Sequence, residues 1–366
     1  LKAFFFFFQA GLWETEVRLM NYEKIDINEV YRIAEEQSVI GLVAAGLDGV
    51  IDVKVPQEIA LTFVGCALQL EQRNVAMNLF VENLIDLLRK AGIYAVLVKG
   101  QGIAQCYARP LWRSSGDVDL LLSEENYQKA VKFLKPKATT VDEEKPCIRH
   151  LALTIDNWPV ELHGTLRSGL WRSVEKAIDK SQEEVFFNGE VRSWMNGRSQ
   201  VFLPSADIDV FLIFTHILQH LFREGIGLRQ ICDWCRLLWT YRDVLNRDYI
   251  KSRLDEAGIM TEWKAFAAFA VDYLGMPEDA MPFYDKSLRW KRKGKKVLSF
   301  ILETGNFGHN RDYSYQEKYT YLIFKTISLW RHTKDIFKYF GMFPLDSIKF
   351  CCVMIRTGVS LVVKRK

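Results

Sequence analysis

The spacing of apolar and polar positions changes twice along the chain. Apolar residues recur at helical spacing up to about residue 90, short β-branched runs replace them up to about 203, and helical spacing returns after Pro204. A helix repeats about every 3.6 residues and a strand every two, so the pattern predicts an α+β fold. We expect a small mixed β-sheet core over 91–203, between an N-terminal helical region (1–90) and a C-terminal helical domain (204–366).

Three helices are predicted in the N-terminal region. The first run, LKAFFFFFQAGLW, is too short to span a bilayer and acidic residues follow it, so we expect a buried amphipathic helix. A second helix covers Ile25–Ala45 with Asp26 or Asn28 as N-cap, and a long third one begins at Pro56 and ends at Gly92. The predicted apolar face of the third helix is Leu61, Val64, Leu68, Val75, Leu79, Leu84 and Leu88.

The middle region predicts short strands and one helix, Glu124–Leu134. Tight turns are expected at Asp156–Pro159 and at Asn188-Gly189, since Asn-Gly is typical of hairpin loops. The predicted strands are Ile93–Val98, Asp117–Leu122, Leu151–Ile155, Val160–His163, Val185–Phe187 and Glu190–Trp194.

The C-terminal region predicts a helix capped by Ser205, with Asp207 and Asp209 in its first turn. Later helices are expected to break at Gly225–Gly227, Gly258, Gly275–Pro282, Gly305–Gly308 and Gly341–Pro344. The final apolar run contains Arg356 and is too short for a transmembrane segment. A weak membrane-surface contact through Lys364-Arg365-Lys366 stays open.

The composition narrows the class of protein. The 366 residues are 49% hydrophobic and 26% charged, which is typical of a globular protein, and the net charge of +4 permits a polyanionic partner without requiring one. Seven scattered cysteines do not form a secreted disulfide framework, so a reducing cytoplasm is expected. Cys232 and Cys235 lie in a predicted helix without a second pair at zinc spacing, and we interpret them as core thiols.

Two aspartates one residue apart are the strongest sign of chemistry. Asp117 and Asp119 share one face of a strand, where two carboxylates repel each other unless a cation lies between them. Glu161 on a later strand supplies a third carboxylate, and an all-oxygen ligand set favours Mg²⁺ or Mn²⁺. His163 lies on the same strand face as Glu161, and the pattern leaves open a substrate contact or a hydrogen-bonded edge histidine.

A basic glycine turn precedes the aspartates. Lys99, Gly100 and Gly102 follow a strand and precede a predicted short helix at Ile103–Tyr107, an arrangement that suits an anion but is not the dinucleotide fingerprint. Arg113 is interpreted as a ligand of phosphate or a counter-charge to the aspartates. Ser115 is interpreted as a phosphate ligand or a loop cap.

Five further residues are candidates for contacts with substrate or for support of the site. Tyr107 stacks on a base or, more simply, packs. His216 and His220 lie four apart on one helix face, which suits a structural role or a substrate wall better than a metal pair, because no H-E-x-x-H motif is present. Arg229 and Asp233 are also four apart, and the simplest prediction is that they form an ion pair on a helix.

The strongest basic segment is Lys286–Lys296, with seven basic residues in eleven. It predicts either a solvated helix face or a contact with a nucleic-acid backbone, with Trp290 available for stacking.

Together these motifs resemble a bacterial family of uncharacterised nucleotidyltransferases within the superfamily of DNA polymerase β type. The resemblance extends over most of the chain. Its core motif is Val98-Lys99-Gly100, Tyr107, Arg113, Asp117-Val118-Asp119-Leu120 and Glu161-Leu162-His163. Its outlying parts are Gly11-Leu12-Trp13, His216, His220, Gly227-Leu228-Arg229 and Asp233-Trp234.

The resemblance implies a nucleotidyltransferase core that binds NTP and two Mg²⁺ ions at Asp117, Asp119 and Glu161. A nucleoside monophosphate would pass to a hydroxyl of a small molecule, RNA or protein, with release of pyrophosphate. Gln101 departs from the pattern, because the superfamily has Gly-Gly or Gly-Ser where this chain has Gly100-Gln101. Two alternatives therefore stay open: an inactive nucleotide- or RNA-binding module on the same fold, and a toxin-like enzyme that modifies RNA or protein.

Overall fold

The structure is a computed structural model that describes residues 1–18, 25–53, 55–145, 148–223, 225–308, 310, 334 and 336–364. Cys147, one of the seven cysteines, lies outside the described residues, as do Arg365 and Lys366 of the basic C-terminal residues named above. Among the described helices, each is too short or too polar to cross a lipid bilayer.

Helices form most of the described chain, and seven described strands form two sheets. The helices are α1 (Lys2–Trp13), α2 (Ile27–Glu36), α3 (Ile40–Asp48), α4 (Gln57–Lys90), α5 (Gly100–Ala104), α6 (Glu124–Leu134), α7 (Arg172–Phe187), α8 (Ala206–Arg223), α9 (Leu228–Tyr241), α10 (Arg247–Ala257), α11 (Met260–Leu274), α12 (Leu288–Thr304) and α13 (Pro344–Lys364). The strands are β1 (Ala95–Val98), β2 (Val118–Leu122), β3 (Thr140–Val141), β4 (His150–Ile155), β5 (Trp158–His163), β6 (Val191–Asn196) and β7 (Ser199–Pro204).

The larger sheet has the strand order β1-β2-β5-β4-β3. Only the β2–β5 pair is parallel; the other neighbours run antiparallel. A mixed sheet with helices before and after it confirms the predicted α+β class. The boundaries at 90 and 203 stay a prediction, and residues of the N-terminal helices share one hydrophobic core with α8–α12.

Alternate residues of the sheet face two different cores. Leu120, Leu162 and Leu151 belong to a core that α4 and α6 cover, whereas Leu121 belongs to the core shared with the helical regions. Because successive side chains on a strand point to opposite faces, the polar residues of β2, β4 and β5 lie on the face opposite Leu120. This alternation places the polar and charged side chains of these strands on one side of the sheet.

The long helix α4 has the predicted ends but not the predicted buried face. Pro56 caps its start and Gly92 follows its end with a positive φ of 69°. Leu61, Leu68 and Leu79 are exposed, at 61%, 50% and 58%, as are Val64 and Val75, and only the distal Leu84 and Leu88 of the predicted set are buried. Apolar residues occur on more than one stripe of this helix, so helical periodicity alone could not select the stripe that packs.

The other predictions for the N-terminal region are also partly confirmed and partly wrong. Asp26 is the N-cap of α2, where its carboxylate accepts a hydrogen bond from the backbone N–H of Glu29. The single helix predicted over Ile25–Ala45 is wrong, because the chain leaves helical geometry between α2 and α3, with Ser38 at a φ of 55°. The first apolar run does form a buried helix, α1.

The hairpin predicted at Asn188-Gly189 is also wrong. There α7 ends, with Asn188 as C-cap and Gly189 at a φ of 68°, so this Asn-Gly pair terminates a helix. The hairpin forms one Asn-Gly later, where Asn196 pairs with Ser199 around Gly197. A positive φ at glycine serves a helix end and a hairpin turn equally well, so the dipeptide cannot distinguish them.

The helix after residue 204 begins as predicted, with Asp207 and Asp209 in the first turn of α8. The capping role predicted for Ser205 is not seen, because its hydroxyl is buried and makes no hydrogen bond. The later breaks agree with the prediction, since Gly227, Gly258 and Gly275 cap helix ends.

Candidate functional site

Three carboxylates meet on the polar face of the sheet. In the parallel β2–β5 pair Asp119 stands opposite Glu161, and Asp117 directly precedes β2. One oxygen from each lies within 4.8 Å of the others. We call Asp117, Asp119 and Glu161 the carboxylate cluster; the sequence predicted all three residues, and the strand register places Glu161 opposite Asp119.

Two basic groups contact this cluster. The Lys99 ammonium lies 3.0 Å from Asp119 Oδ1, and His163 Nε2 lies 2.8 Å from the same oxygen and 3.3 Å from Glu161 Oε2. Lys99 has φ 58° and ψ −147°, a backbone conformation that L-residues rarely adopt. The chain therefore holds Lys99 in a strained geometry that directs its ammonium into the cluster.

The carboxylates respond unequally to their surroundings. The charge of Asp119, together with burial, raises the pKa of Asp117. Burial opposes ionisation of Asp119, but Lys99 and His163 outweigh it and lower its pKa. Hydrogen bonds from His150 and His163 lower the pKa of Glu161 strongly. Repulsion therefore concentrates on Asp117, as expected where negative charge exceeds the positive charge available.

The residues present fit a divalent cation. Three carboxylates, each with an oxygen within 4.8 Å of the others, offer hard oxygen ligands, which Mg²⁺ and Mn²⁺ prefer. The raised pKa of Asp117 indicates that positive charge is insufficient there, and a cation would correct this.

His150 also belongs to the site, although the sequence pattern did not single it out. It stands opposite His163 in the β4–β5 hairpin, and its Nε2 lies 3.2 Å from Glu161 Oε2. The turn was predicted over four residues, but only Asp156 and Asn157 form it, both with positive φ. Correct placement of that turn would have paired His150 with His163, because hairpin pairs are symmetric about the loop.

A cavity of about 430 Å³ opens over the cluster. Its size is within the range of ligand pockets, roughly 300–1,000 Å³. Lys99, Gly100 and the carboxylate cluster line one side, and side chains of α8 and α9 line another. Further basic side chains at its wall are Lys145, Arg167, Arg223 and Arg229.

His216 and His220 line this cavity, and their role in a substrate wall stays a prediction. Their Nε2 atoms are 3.0 Å apart on α8. Burial, then the charges of Lys99 and His220, hold the pKa of His216 well below its ordinary value, so its imidazole is neutral at neutral pH.

Arg113 forms a different contact from the one expected. Its Nε and Nη2 donate to the two carboxylate oxygens of Asp233 at 2.7 and 2.6 Å, and Tyr107 donates its hydroxyl to Asp233 at 2.8 Å. The predicted Arg229–Asp233 ion pair is therefore replaced by an Arg113–Asp233 pair; Arg229 donates instead to the carbonyl of Ser114. Tyr107 packs rather than stacking on a base, with 6% of its surface exposed.

The glycine turn is packed into the protein on the side of Gln101. The amide of Gln101 donates to Asn78 and accepts from the Ser115 hydroxyl, both at 2.6 Å. A Cβ at Gly102 would meet Leu203 at 2.5 Å, so this glycine permits a close packing contact. Of the turn, Lys99 and Gly100 reach the cavity.

The basic segment lies on and just before α12, and none of its residues lines the cavity. Lys293 and Lys296 donate to backbone carbonyls of Met342 and Gly341. Trp290 is 7% exposed, so the prediction that it is available for base stacking is wrong.

The family model described as "Uncharacterised nucleotidyltransferase" matches residues 23–275, and the chain therefore belongs to that family. Comparison with curated proteins and with solved structures gave no match. The family match covers the carboxylate cluster and the cavity walls.

Proposed function

We propose that this nucleotidyltransferase-family protein transfers a nucleoside monophosphate from an NTP to an acceptor hydroxyl and releases pyrophosphate, with Mg²⁺ or Mn²⁺ as cofactor. The observation that carries the proposal is the carboxylate cluster, whose three oxygens converge at the cavity. Family membership supports nucleotidyl transfer in general.

Each residue of the cluster has a defined part in the proposal. Asp117, Asp119 and Glu161 would hold the divalent ions, which when bound polarise the phosphate oxygens and acidify a bound hydroxyl. Glu161 helps to activate the acceptor hydroxyl. His163 keeps Asp119 in place through a hydrogen bond and contacts Glu161 at 3.3 Å.

The basic residues are proposed to hold the triphosphate. Lys99 reaches the cavity beside the cluster, and its ammonium exchanges Asp119 for a phosphate oxygen when NTP binds. Arg113 supports the loop before Asp117 through its pair with Asp233. Gly100 and Ser115 remain proposed contacts of the nucleotide, and His216, His220 and Arg229 remain proposed contacts of the substrate.

The superfamily, the source and the cellular compartment are proposed from the sequence motifs and composition alone. We place the protein in the DNA polymerase β-type superfamily, in a bacterial cytoplasm. The acceptor is a small molecule, an RNA or a protein.

A binding module without turnover is the second candidate. Lys99 favours it, because an ammonium 3.0 Å from Asp119 already supplies part of the counter-charge that a metal would bring. In that case NTP binds and no pyrophosphate forms.

Labelled NTPs separate these candidates. The protein is incubated with each α-³²P NTP, Mg²⁺ and cell extract, and both pyrophosphate release and the class of labelled product are measured. We expect label in one acceptor class, abolished in Asp119→Asn and retained in Glu125→Gln, a matched carboxylate on α6 that is 77% exposed and pairs with Lys129.

Thermal unfolding with Mg²⁺ and NTP completes the test. Stabilisation by an NTP without pyrophosphate release supports the binding module. If no NTP raises the unfolding temperature in the presence of metal, both candidates fail.

A further inference from the structure

A second group of potential metal ligands adjoins the carboxylate cluster. His150, Glu161 and His163 each offer one ligand atom, and these atoms lie within 4.8 Å of one another. We call them the histidine–glutamate cluster. It shares Glu161 with the carboxylate cluster and otherwise consists of two imidazoles.

The β4–β5 hairpin builds this group directly. His150 and His163 are cross-strand partners with ring centroids 5.0 Å apart, and Glu161 precedes His163 by two residues on the same face. Glu161 Oε2 lies 3.2 Å from His150 Nε2 and 3.3 Å from His163 Nε2. Two paired strands therefore bring three potential ligand atoms close together.

The spacing and chemistry suit a transition metal. Tetrahedral ligand bonds of about 2.0–2.1 Å place neighbouring ligand atoms about 3.3–3.4 Å apart, close to the two observed separations. Two imidazole nitrogens and one carboxylate favour Zn²⁺ or Co²⁺ over Mg²⁺, which prefers oxygen. All three residues line the cavity, so a fourth position would face solvent or substrate.

We propose that His150, Glu161 and His163 bind one zinc-class divalent ion, separate in ligand type from the magnesium-class site at the carboxylate cluster. Glu161 then bridges the two sites. To bind the ion, each Nε2 would have to be the unprotonated nitrogen of its imidazole, so any proton on it would pass to solvent, and the hydrogen bond between His163 and Asp119 would be released. The proposal does not depend on nucleotidyl transfer, because it concerns metal binding alone.

Cobalt titration of the full chain tests the site. Protein stripped of metal with a chelator is titrated with Co²⁺, and the visible absorption of four-coordinate Co²⁺ is followed, with Zn²⁺ added to displace it. We expect the intense visible band to saturate at one equivalent of Co²⁺ per chain. His150→Gln retains a hydrogen-bond donor toward Glu161 but is a poor ligand, and we expect it to lose the band and bind Co²⁺ at least ~100-fold more weakly, since even outer-shell changes cost 10–100-fold.

Asp117→Asn is the matched variant. It removes a ligand of the carboxylate cluster only, so the cobalt band should persist while Mn²⁺ binding, measured by electron paramagnetic resonance, weakens. His150→Gln should show the reverse. Thermal unfolding checks that both variants fold, and His150→Asn replaces His150→Gln if the latter does not.

Two outcomes overturn the inference: no intense band in the parent protein, or an unchanged band in His150→Gln. Either shows that the histidines only orient Glu161. Failure of the proposed function is a separate observation, since absent NTP turnover with a normal cobalt band leaves this site intact.

Discussion

The carboxylate cluster and the Arg113–Asp233 pair are two polar groups at the wall of one cavity, yet their charges are arranged differently. Arg113 and Asp233 are 7% and 4% exposed and match each other in charge and in hydrogen bonds. In the carboxylate cluster three acids face one ammonium and two imidazoles, and the charge of Asp119 together with burial raises the pKa of Asp117. A buried ion pair whose charges are balanced has a structural role, whereas an excess of like charge beside a cavity favours binding of a ligand of opposite charge.

The largest expected effect comes from Asp117→Asn. We expect kcat/KM to fall by about 10²–10³-fold, the range seen when one group that stabilises transition-state charge is removed. The metal-free variant should be as stable as the parent or more so, because the substitution relieves repulsion from Asp119. Steady-state kinetics and urea unfolding without metal measure the two effects.

The raised pKa of Asp117 also predicts how the stability of the parent and of Asp117→Asn changes with pH. A carboxyl whose folded pKa is raised contributes stability at low pH and loses it as the pH rises through that pKa. The parent and Asp117→Asn should therefore be equally stable in acid, and the variant should become the more stable one as the pH rises. If the parent instead becomes more stable relative to the variant as the pH rises, the proposed repulsion between Asp117 and Asp119 is contradicted.

Arg113→Met should affect stability rather than chemistry. Removal of one partner from a buried ion pair costs about 3–5 kcal/mol, because the other charge stays buried. The double variant Arg113→Met/Asp233→Asn should recover part of that loss, as measured by urea unfolding. Arg32→Met is the matched control: its pair with Glu36 is on the surface, and we expect a change below about 1 kcal/mol.

A different result for Arg113→Met would show that the Arg113–Asp233 pair is not purely structural. If Arg113→Met unfolds like the parent but binds NTP weakly, Arg113 is a nucleotide ligand, as the sequence motif suggested.

His163→Gln should have an intermediate effect. Glutamine keeps one donor near Asp119 but loses the second contact to Glu161, so both carboxylates are held less firmly. We expect kcat/KM to fall about 10–100-fold, as for other groups that orient metal ligands. A loss equal to that of Asp117→Asn would show that His163 does more than position its neighbours.

Gln101→Ser should have the smallest effect on nucleotide binding. The side chain of Gln101 contacts Asn78 and Ser115, so its loss should cost about 1–3 kcal/mol of stability through unpaired buried groups. NTP affinity, measured by calorimetry, should stay within about twofold, a difference below 0.5 kcal/mol. Tighter binding would mean that serine restores a triphosphate contact that glutamine lacks.

Much of the local structure was predictable from the sequence. Strand alternation placed Asp117 and Asp119 on one face, and β1, β2 and α6 lie close to their predicted ranges. These features depend on short-range periodicity and capping, which neighbouring residues determine.

The long-range partners were not predictable in this way. Arg229 was the nearest candidate for Asp233 along the helix, but Arg113 binds it from a distant loop. The long helix α4 presents several apolar stripes, and only its neighbours select the buried one. Such choices depend on which surfaces meet in space, and one-dimensional spacing does not record that.

By itself, the sequence determined the α+β class and the acidic strand, because periodicity and residue type are properties of the chain itself. The tertiary structure alone decided that Asp119 stands opposite Glu161, that His150 joins His163, and that Arg113 is matched by Asp233. Strand register and burial bring distant residues within hydrogen-bond distance, and that proximity sets which charges are balanced and which remain available to a ligand.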